Sequence, residues 1–361
     1  MCELETRKLS ALNPFDSVLR TVYIGGGTPS VLDICSIDKL SGQISDLYGL
    51  EHLQEFTVEV NPDCISSEYA GALAQLPVTR VSMGVQSFND EILKFMNRRH
   101  DSAGAIQAYR NLRHTGFDNI SLDLMFGIPG QTIDMLLDDL DKMLELAPEH
   151  ISIYSLSYEP GTCLERMVSA GQVSSLSDET CMSMYSAVCR KLTEAGYLHY
   201  EISNFARKGR ESVHNSNYWN GTPYLGIGAG AHSYNGTDTR CFNNPDLNRY
   251  IAYYLKDKED GTDIVDRFER IASTAPCEFE HLDSIDLRNE YIMLALRTIR
   301  GINLDDFKKK FGNESLEQLL FMARPQIKNE NLAISNSTLF IPENKFYISN
   351  SIIVDLFLEK D

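Results

Sequence analysis

Residues 22–30, VYIGGGTPS, form the stretch of this chain best suited to holding a small polar molecule. A short β-branched and aromatic run stops at Gly25, Gly26 and Gly27, which a Thr-Pro pair follows. Adjacent glycines carry no Cβ, so the backbone can approach a ligand closely and present its amide and carbonyl groups. The pattern predicts a strand whose carboxyl end meets a ligand. Taken alone, it also fits a plain turn.

Similar strand ends recur along the chain, each an apolar run that stops at polar residues with glycine or proline nearby. They are Phe56–Pro62 (FTVEVNP), Arg80–Ser87 (RVSMGVQS), Asn119–Gly130 (NISLDLMFGIPG) and His150–Thr162 (HISIYSLSYEPGT). Parallel sheets and barrels bind ligands at the carboxyl ends of their strands. The repeated pattern therefore predicts one site built from several strand ends.

Amphipathic helices separate these strands. One begins after Thr132 as its N-cap, one runs from about Ser102 to His114, and one begins after Ser177. Alternating strands and helices are typical of parallel βα units. We therefore expect an α/β fold, in which a barrel of parallel βα units and an extension occupy residues 1–255.

The character of the sequence changes after residue 255. Residues 256–286 are charged and irregular and predict a linker region. A helical stretch begins at about Leu287, and further helices are expected near Asp305–Phe311 and Leu316–Met322, before strand-like runs at Leu332–Ile334 and Leu339–Ile341. Residues 287–361 thus predict a small winged-helix-like α+β module. It lacks a basic recognition stripe, so we expect it to pack on the barrel or cover the substrate rather than bind DNA.

The composition limits the kinds of partner. A net charge of −18 and a pI near 4.9 argue against nucleic-acid binding. No apolar run is long enough to cross a bilayer, and no secretory signal is recognisable, so we expect a cytoplasmic protein.

The cysteines do not suggest a metal site. The chain has 8, scattered and without a Cys-x-x-Cys pair. Cys181 and Cys189 fall on the expected core face of the helix after Ser177, where free cysteine acts as a small hydrophobic residue. No cysteine set has the spacing of metal ligands, so we predict no metal site in this chain.

Taken in order, the motifs resemble a known family. They are GGGTPS, EVNP, GVQSF, NRRH, DLMFGIPGQT, YEPGT, YEISNFA, HNSNYW and GIGAGAHS. This series is similar to the radical S-adenosylmethionine proteins related to oxygen-independent coproporphyrinogen III oxidase. The block HNSNYW, His214–Trp219, resembles the motif of the family's heme-chaperone branch, whose members bind heme and do not carry out the oxidase's decarboxylation.

The resemblance implies a partial (βα)6 TIM-like barrel whose first strand leads into a Cys-x3-Cys-x2-Cys loop. In the family that loop holds a 4Fe–4S cluster, one iron of which chelates the amino acid end of S-adenosylmethionine. The given chain lacks the loop and begins within a helical pattern, MCELETRKLSAL, so we expect a barrel without its first strand. Either the true start lies upstream or the radical chemistry has been lost, and we favour the first explanation.

The resemblance also implies the residues that bind S-adenosylmethionine. They are Gly26, Gly27, Thr28, Glu59, Gln86, Arg98, Asp123, Ser157 and His232. Arg98 can hold a carboxylate as a charged fork, while Glu59 and Asp123 can accept hydrogen bonds from the ammonium group and the ribose hydroxyls. The alternative for each carboxylate is a solvated or helix-capping role.

His214, Tyr218 and Trp219 are the heme candidates. His214 could ligate the iron or be a hydrogen-bonded structural residue. The two aromatic side chains could stack on a porphyrin or belong to the core. Catalytic residues are not assigned.

Three functions follow as hypotheses. The first is a heme chaperone-like radical S-adenosylmethionine protein. Its expected partners are heme or another tetrapyrrole and a protein that accepts heme, and a homodimer is one expected form. The second is an oxygen-independent coproporphyrinogen III oxidase of porphyrin biosynthesis. The third is a non-catalytic barrel that binds a tetrapyrrole or a partner.

Overall fold

The structure is a computed structural model that describes residues 18–256 and 277–360. Its largest element is a curled sheet of 7 strands in the order β1-β2-β3-β4-β5-β7-β6. The strands are β1 (Thr21–Ile24), β2 (Glu55–Val60), β3 (Arg80–Gln86), β4 (Ile120–Phe126), β5 (His150–Ser155), β6 (Leu198–Glu201) and β7 (Asn204–Ala206). Strands β1 to β5 are parallel, and β6 and β7 form an antiparallel hairpin at the far edge.

Helices follow the strands of this sheet along the chain. They are α1 (Ile34–Tyr48), α2 (Ser67–Leu73), α3 (Asp90–Phe95), α4 (Ser102–His114), α5 (Ile133–Leu146), α6 (Cys163–Ser169), α7 (Asp178–Glu194) and α8 (Val213–Trp219). The predicted N-caps are confirmed, because the Thr132 hydroxyl accepts a hydrogen bond from the Met135 amide and the Ser177 hydroxyl from that of Thr180. Short polar side chains thus set where these helices begin.

Side chains alternate along the strands between an apolar face and a polar face. On β2, the side chains of Phe56, Val58 and Val60 belong to the hydrophobic core. Glu59, between two of them, lines a cavity on the opposite face. Because side chains of a strand point alternately to its two faces, the apolar face packs under the helices and the polar face lines the concave side of the sheet.

The predicted fold class is confirmed as a partial TIM-like barrel. Within the described residues, β1 pairs with β2 and with no other strand. Its other edge is where a preceding strand of a complete barrel would lie. The helical pattern predicted at the start of the chain falls outside the described residues.

The rest of the chain adds two small antiparallel sheets. Strands β8 (His232–Tyr234), β9 (Thr239–Asn243) and β10 (Cys277–His281) form the first, and β11 (Ile302–Asn303), β12 (Ala333–Ser335) and β13 (Thr338–Phe340) the second. The helices are α9 (Leu247–Lys256), α10 (Ser284–Leu296), α11 (Leu304–Lys328) and α12 (Ser349–Val354). No helix in the described ranges is both long and apolar enough to cross a membrane.

The structure differs from the local predictions in two places and confirms a third. Residues 277–286 are not irregular, because they contain β10 and the start of α10. The two helices expected near Asp305–Phe311 and Leu316–Met322 are both present as the two parts of α11, which meet at Gly312, where the backbone is not helical and φ is 88°. The hairpin of β6 and β7 was not predicted, because these strands are only 4 and 3 residues long. The domain boundaries stay a prediction.

Candidate functional site

A cavity of about 340 Å³ opens on the polar face of the sheet, toward the carboxyl ends of the parallel strands. This volume lies within the usual range for small-molecule sites. The residues that line it include Tyr23, Gly27, Thr28, Glu59, Asn61, Arg80, Gln86, Arg98, Asp123 and Asn215. They come from β1 to β4, from the loops that follow these strands, and from α8.

The glycine loop after β1 is tied to the end of β2 through Glu59. The Tyr23 hydroxyl donates to Oε1 of Glu59 at 2.6 Å, and the Gly26 amide donates to Oε2 at 3.1 Å. Gly26 and Gly27 have φ of 78° and 69°, which L-residues with side chains rarely adopt. The loop conformation therefore requires glycine, and it places backbone groups at the rim of the cavity.

Asp123 lies within the cavity wall and is poorly solvated. The hydroxyls of Ser82 and Ser121 each lie 3.4 Å from its carboxylate oxygens. Burial raises the pKa of Asp123 to about 6, against the lowering effects of a hydrogen bond from Ser152 and of the Arg80 charge. A cationic ligand beside this carboxylate would favour its ionised form.

Arg98 is held at the end of β3. Its Nη2 donates to Oδ1 of Asn61 and to the carbonyl of Gly84, each at 3.0 Å. Gln86 has φ of 68°, beside a register shift between β3 and β4, so this strand end is locally strained. Gly84 leaves room for the side chains of Gln86 and Arg98, because a Cβ on residue 84 would lie 2.6 Å from Nε2 of Gln86 and 3.3 Å from Nη2 of Arg98.

Arg80 is a second guanidinium in the cavity wall. The residue is 2% exposed, and its Nε has no hydrogen-bond partner among the described residues. A buried guanidinium normally needs an anion or several acceptors around it. Together, Glu59, Asp123, Arg80 and Arg98 give the cavity groups for both ends of a zwitterionic ligand.

Most of the predicted S-adenosylmethionine residues come together here. Gly27, Thr28, Glu59, Gln86, Arg98 and Asp123 line the cavity, and Gly26 donates its amide to Glu59. Ser157 and His232 are not among the lining residues. Ser157 is exposed beyond the end of β5, and His232 is exposed at the start of β8, where its ring packs edge-on against Phe242.

The heme-candidate block forms α8, which lies against the polar face of the sheet. Nδ1 of His214 lies 2.9 Å from the Thr21 hydroxyl, and Nε2 lies 3.1 Å from the Tyr218 hydroxyl. The imidazole stacks on the ring of Tyr23 with centroids 5.0 Å apart. Burial lowers the pKa of His214 and so favours the neutral ring.

Glu55, at the start of β2, holds the first turn of α8. Its carboxylate accepts hydrogen bonds from the Val213 amide at 2.9 Å, from the His214 amide at 3.1 Å and from the Ser212 hydroxyl at 3.1 Å. A carboxylate at a helix N-terminus satisfies free amides and interacts favourably with the helix dipole. This contact fixes α8 so that Asn215 reaches the cavity.

The two aromatic heme candidates differ in exposure. Tyr218 is 39% exposed and packs edge-on against Tyr224, with centroids 4.8 Å apart. The indole N–H of Trp219 is buried without a hydrogen-bond partner in the described structure. A stacking surface for a flat ligand is therefore available at Tyr218 and less so at Trp219.

Several cavity residues were missed from the sequence, namely Tyr23, Asn61, Arg80, Ser82, Ser152, Tyr154 and Asn215. One signal was present, because a charged or hydroxyl residue stands at every second position of otherwise apolar strands. Arg80 and Ser82 on β3 follow this alternation. No comparable signal existed for Asn215, whose place depends on how α8 docks.

The described residues do not supply the thiolates of a 4Fe–4S cluster. The described cysteines do not converge on the cavity, and none of them lines it; they are Cys35, Cys64, Cys163, Cys181, Cys189, Cys241 and Cys277. Three thiolates are what the family's cluster requires, so the residues present do not fit that group.

The curled parallel sheet with a cavity at its strand ends is the architecture expected of a radical S-adenosylmethionine protein. The model of the Radical SAM superfamily matches residues 7–143. The solved coproporphyrinogen III oxidase HemN of Escherichia coli superimposes with a TM-score of 0.77 over 98% of this chain and 82% of its own, at 19% sequence identity. That likeness concerns the fold.

The sequence comparisons give the family within this class. The heme chaperone HemW of Lactococcus lactis is 33% identical over 342 residues, which cover 94% of this chain and 85% of that protein. The heme chaperone HemW of Bacillus subtilis is 37% identical over 295 residues, which cover 81% of this chain and 74% of that protein. The chain belongs to the HemW family.

Proposed function

We propose that this protein is a heme chaperone-like member of its family that binds S-adenosylmethionine in the cavity and heme beside α8. The single observation that carries the first part is the convergence of Glu59, Asp123 and Arg98 with the glycine loop in one cavity. The relationship to HemW heme chaperones supports the second part. This proposal also predicts that the protein is cytoplasmic, that it passes heme to an accepting protein, and that a homodimer is one of its forms.

In this proposal each group has a role set by its chemistry. Arg98 pairs with the ligand carboxylate through the N–H groups that Asn61 and Gly84 leave free. Glu59 and Asp123 accept from the ammonium group and the ribose hydroxyls. When a cluster is present, S-adenosylmethionine supplies radical chemistry in this family. The described residues do not supply the thiolates for it, so we expect binding without cleavage.

Calorimetric titration tests the cavity. Glu59→Gln should weaken S-adenosylmethionine binding about tenfold or more, as expected for a lost charge-assisted hydrogen bond. Arg98→Gln should weaken S-adenosylmethionine but leave methylthioadenosine, which has no carboxylate, unaffected. Glu68→Gln, at an exposed residue in the first turn of α2, is the matched control. A wild-type chain that binds neither ligand contradicts the assignment.

Heme titration, followed by the Soret band, tests the second part. Nε2 of His214 is engaged by the Tyr218 hydroxyl, so iron ligation by His214 requires this contact to open. Tyr218→Phe should then bind heme more tightly, by up to about tenfold for one released hydrogen bond. His214→Ala should bind heme more weakly and shift the band.

These opposite changes in heme affinity distinguish His214 from Tyr218 as the iron ligand. Weaker binding in Tyr218→Phe with unchanged binding in His214→Ala would make Tyr218 the ligand. No heme binding by the wild type, together with turnover of coproporphyrinogen after cluster reconstitution of a chain that includes the cysteine loop, would favour the oxidase instead.

A further inference from the structure

A second cluster of ligating side chains lies away from the cavity, where the barrel meets the C-terminal region. It consists of Cys189 from α7, His199 from β6, and Glu343 from the helical turn Glu343–Ile348 after β13, and we name it the junction cluster. One ligand atom from each of these residues lies within 4.8 Å of the other two. We propose that the junction cluster binds a zinc ion.

The donor atoms suit this cation. A thiolate, an imidazole and a carboxylate are the protein ligands that zinc takes, at about 2.0 to 2.3 Å in tetrahedral geometry. Such bond lengths place two ligand atoms about 3.4 to 3.6 Å apart. Nδ1 of His199 now lies 2.8 Å from Oε1 of Glu343, so a small outward rotation of the carboxylate would make room for the ion.

The surroundings hold the histidine as metal-binding histidines are held. Its other nitrogen, Nε2, lies 3.4 Å from the carbonyl of Ile202, and a metal-bound imidazole commonly donates its second N–H to a carbonyl. The ring stacks on Phe205 with centroids 4.1 Å apart. The imidazole is therefore fixed with Nδ1 directed toward Glu343.

The burial of the three residues is graded. Cys189 is 8% exposed and His199 5%, while the side chain of Glu343 is 47% exposed. An ion can thus enter from the side of Glu343, and water can take the fourth position. Zinc binds the thiolate form of cysteine, so binding would displace the Cys189 thiol proton to solvent.

Sequence spacing could not reveal this site. Cys189 was predicted as a core residue, which its burial agrees with, and its partners come from a hairpin and from a residue 144 positions beyond His199. A bound ion would join the barrel to the C-terminal region in addition to their apolar contacts.

The test uses the full chain and zinc alone. The metal content after dialysis against zinc should approach one per chain, and the melting temperature should rise with zinc. With cobalt in place of zinc, the wild type should show a thiolate charge-transfer band. Glu343→Gln, which changes a half-exposed carboxylate and leaves the core intact, should lower the zinc affinity by about tenfold or more.

A matched control is available on the same helix. Cys181 is also 8% exposed on α7 but lies outside the junction cluster. Cys189→Ser should abolish the cobalt band and Cys181→Ser should keep it. A wild type without bound zinc, a band that persists in Cys189→Ser, or unchanged affinity in Glu343→Gln overturns the proposal. S-adenosylmethionine titration of Glu343→Gln should match the wild type, so this result is independent of the cavity.

Discussion

Asp123 and Arg80 show how single residues set the chemistry of the cavity. Burial favours the neutral form of Asp123, and the nearby Arg80 charge opposes this effect without cancelling it. The pKa of this carboxyl is therefore about 6 in the free protein. A cationic sulfonium or ammonium group would stabilise the ionised form, so ligand binding and the proton on Asp123 are linked.

This linkage predicts the pH dependence of binding. The affinity for S-adenosylmethionine should rise as the pH increases from 5 to 7, since the pKa of Asp123 is about 6 in the free protein. Binding below pH 6 should release a proton, which calorimetry in buffers of different ionisation enthalpy measures. Asp123→Asn should remove both effects. An equally steep pH dependence in Asp123→Asn would show that another group is responsible.

Gly84 is a residue whose missing side chain matters. Gly84→Ala would place a Cβ 2.6 Å from Nε2 of Gln86 and 3.3 Å from Nη2 of Arg98, so both side chains should shift and S-adenosylmethionine affinity should fall. Gly42→Ala is the control, because Gly42 is exposed in α1 with nothing near its Cβ position. That change should leave binding unaltered and raise the free energy of unfolding by about 0.5–1 kcal/mol. Equal affinities in both variants would contradict the assigned role of Gly84.

At the scale of elements, the motif of α8 suggested a ligand but did not reveal where the helix docks. HNSNYW was interpreted from the sequence as a heme block, and the structure places it as a helix docked on the sheet. Its first turn is satisfied by Glu55, which is 158 residues from Val213 in sequence. Whether or not α8 contacts heme, its docking gives the cavity Asn215.

Glu55 should therefore contribute measurably to stability. Glu55→Gln keeps one oxygen acceptor but loses the charge and the second oxygen, so at least one of the hydrogen bonds to α8 is lost. The free energy of unfolding should fall by about 1.5–3 kcal/mol, as for hydrogen bonds to charged groups. Urea denaturation measures this, with Glu51→Gln at an exposed residue as the control. Equal stability of the two variants would mean that α8 docks without Glu55.

For the molecule as a whole, the parts that follow local rules were predictable. Caps at Thr132 and Ser177 and the alternation of strands and helices predicted the parallel part of the sheet. Parallel strands also bring Glu59, Gln86 and Asp123 to one edge, so their convergence followed from topology. Contacts between distant segments were not predictable, because no local pattern records that Glu343 would lie beside His199.

Two poorly solvated carboxyls predict how the stability of the whole protein varies with pH. Glu201, at the end of β6, is 2% exposed, and burial raises its pKa from 4.5 to about 7, more than the Ser203 amide and the Arg297 charge lower it. Burial also raises the pKa of Asp123 from 3.8 to about 6. Each group binds its proton more tightly in the folded state than in the unfolded state.

The sign follows from linkage. Where the folded state binds more protons, stability falls as the pH rises, so the contribution of Glu201 is complete below pH 4.5 and is lost by about pH 7. The size is on the order of 3 kcal/mol, from about 1.4 kcal/mol for each pKa unit. Glu201→Gln cannot ionise, so its free energy of unfolding should decline less between pH 4.5 and 7, and above pH 7 it should exceed that of the wild type.

Repulsion within a chain of net charge −18 gives a decline of the same sign in every variant. The comparison is therefore made against Glu278→Gln, at an exposed residue of β10, by urea denaturation across the pH series. Parallel curves for the two variants would show that Glu201 is ionised in the folded protein across this range.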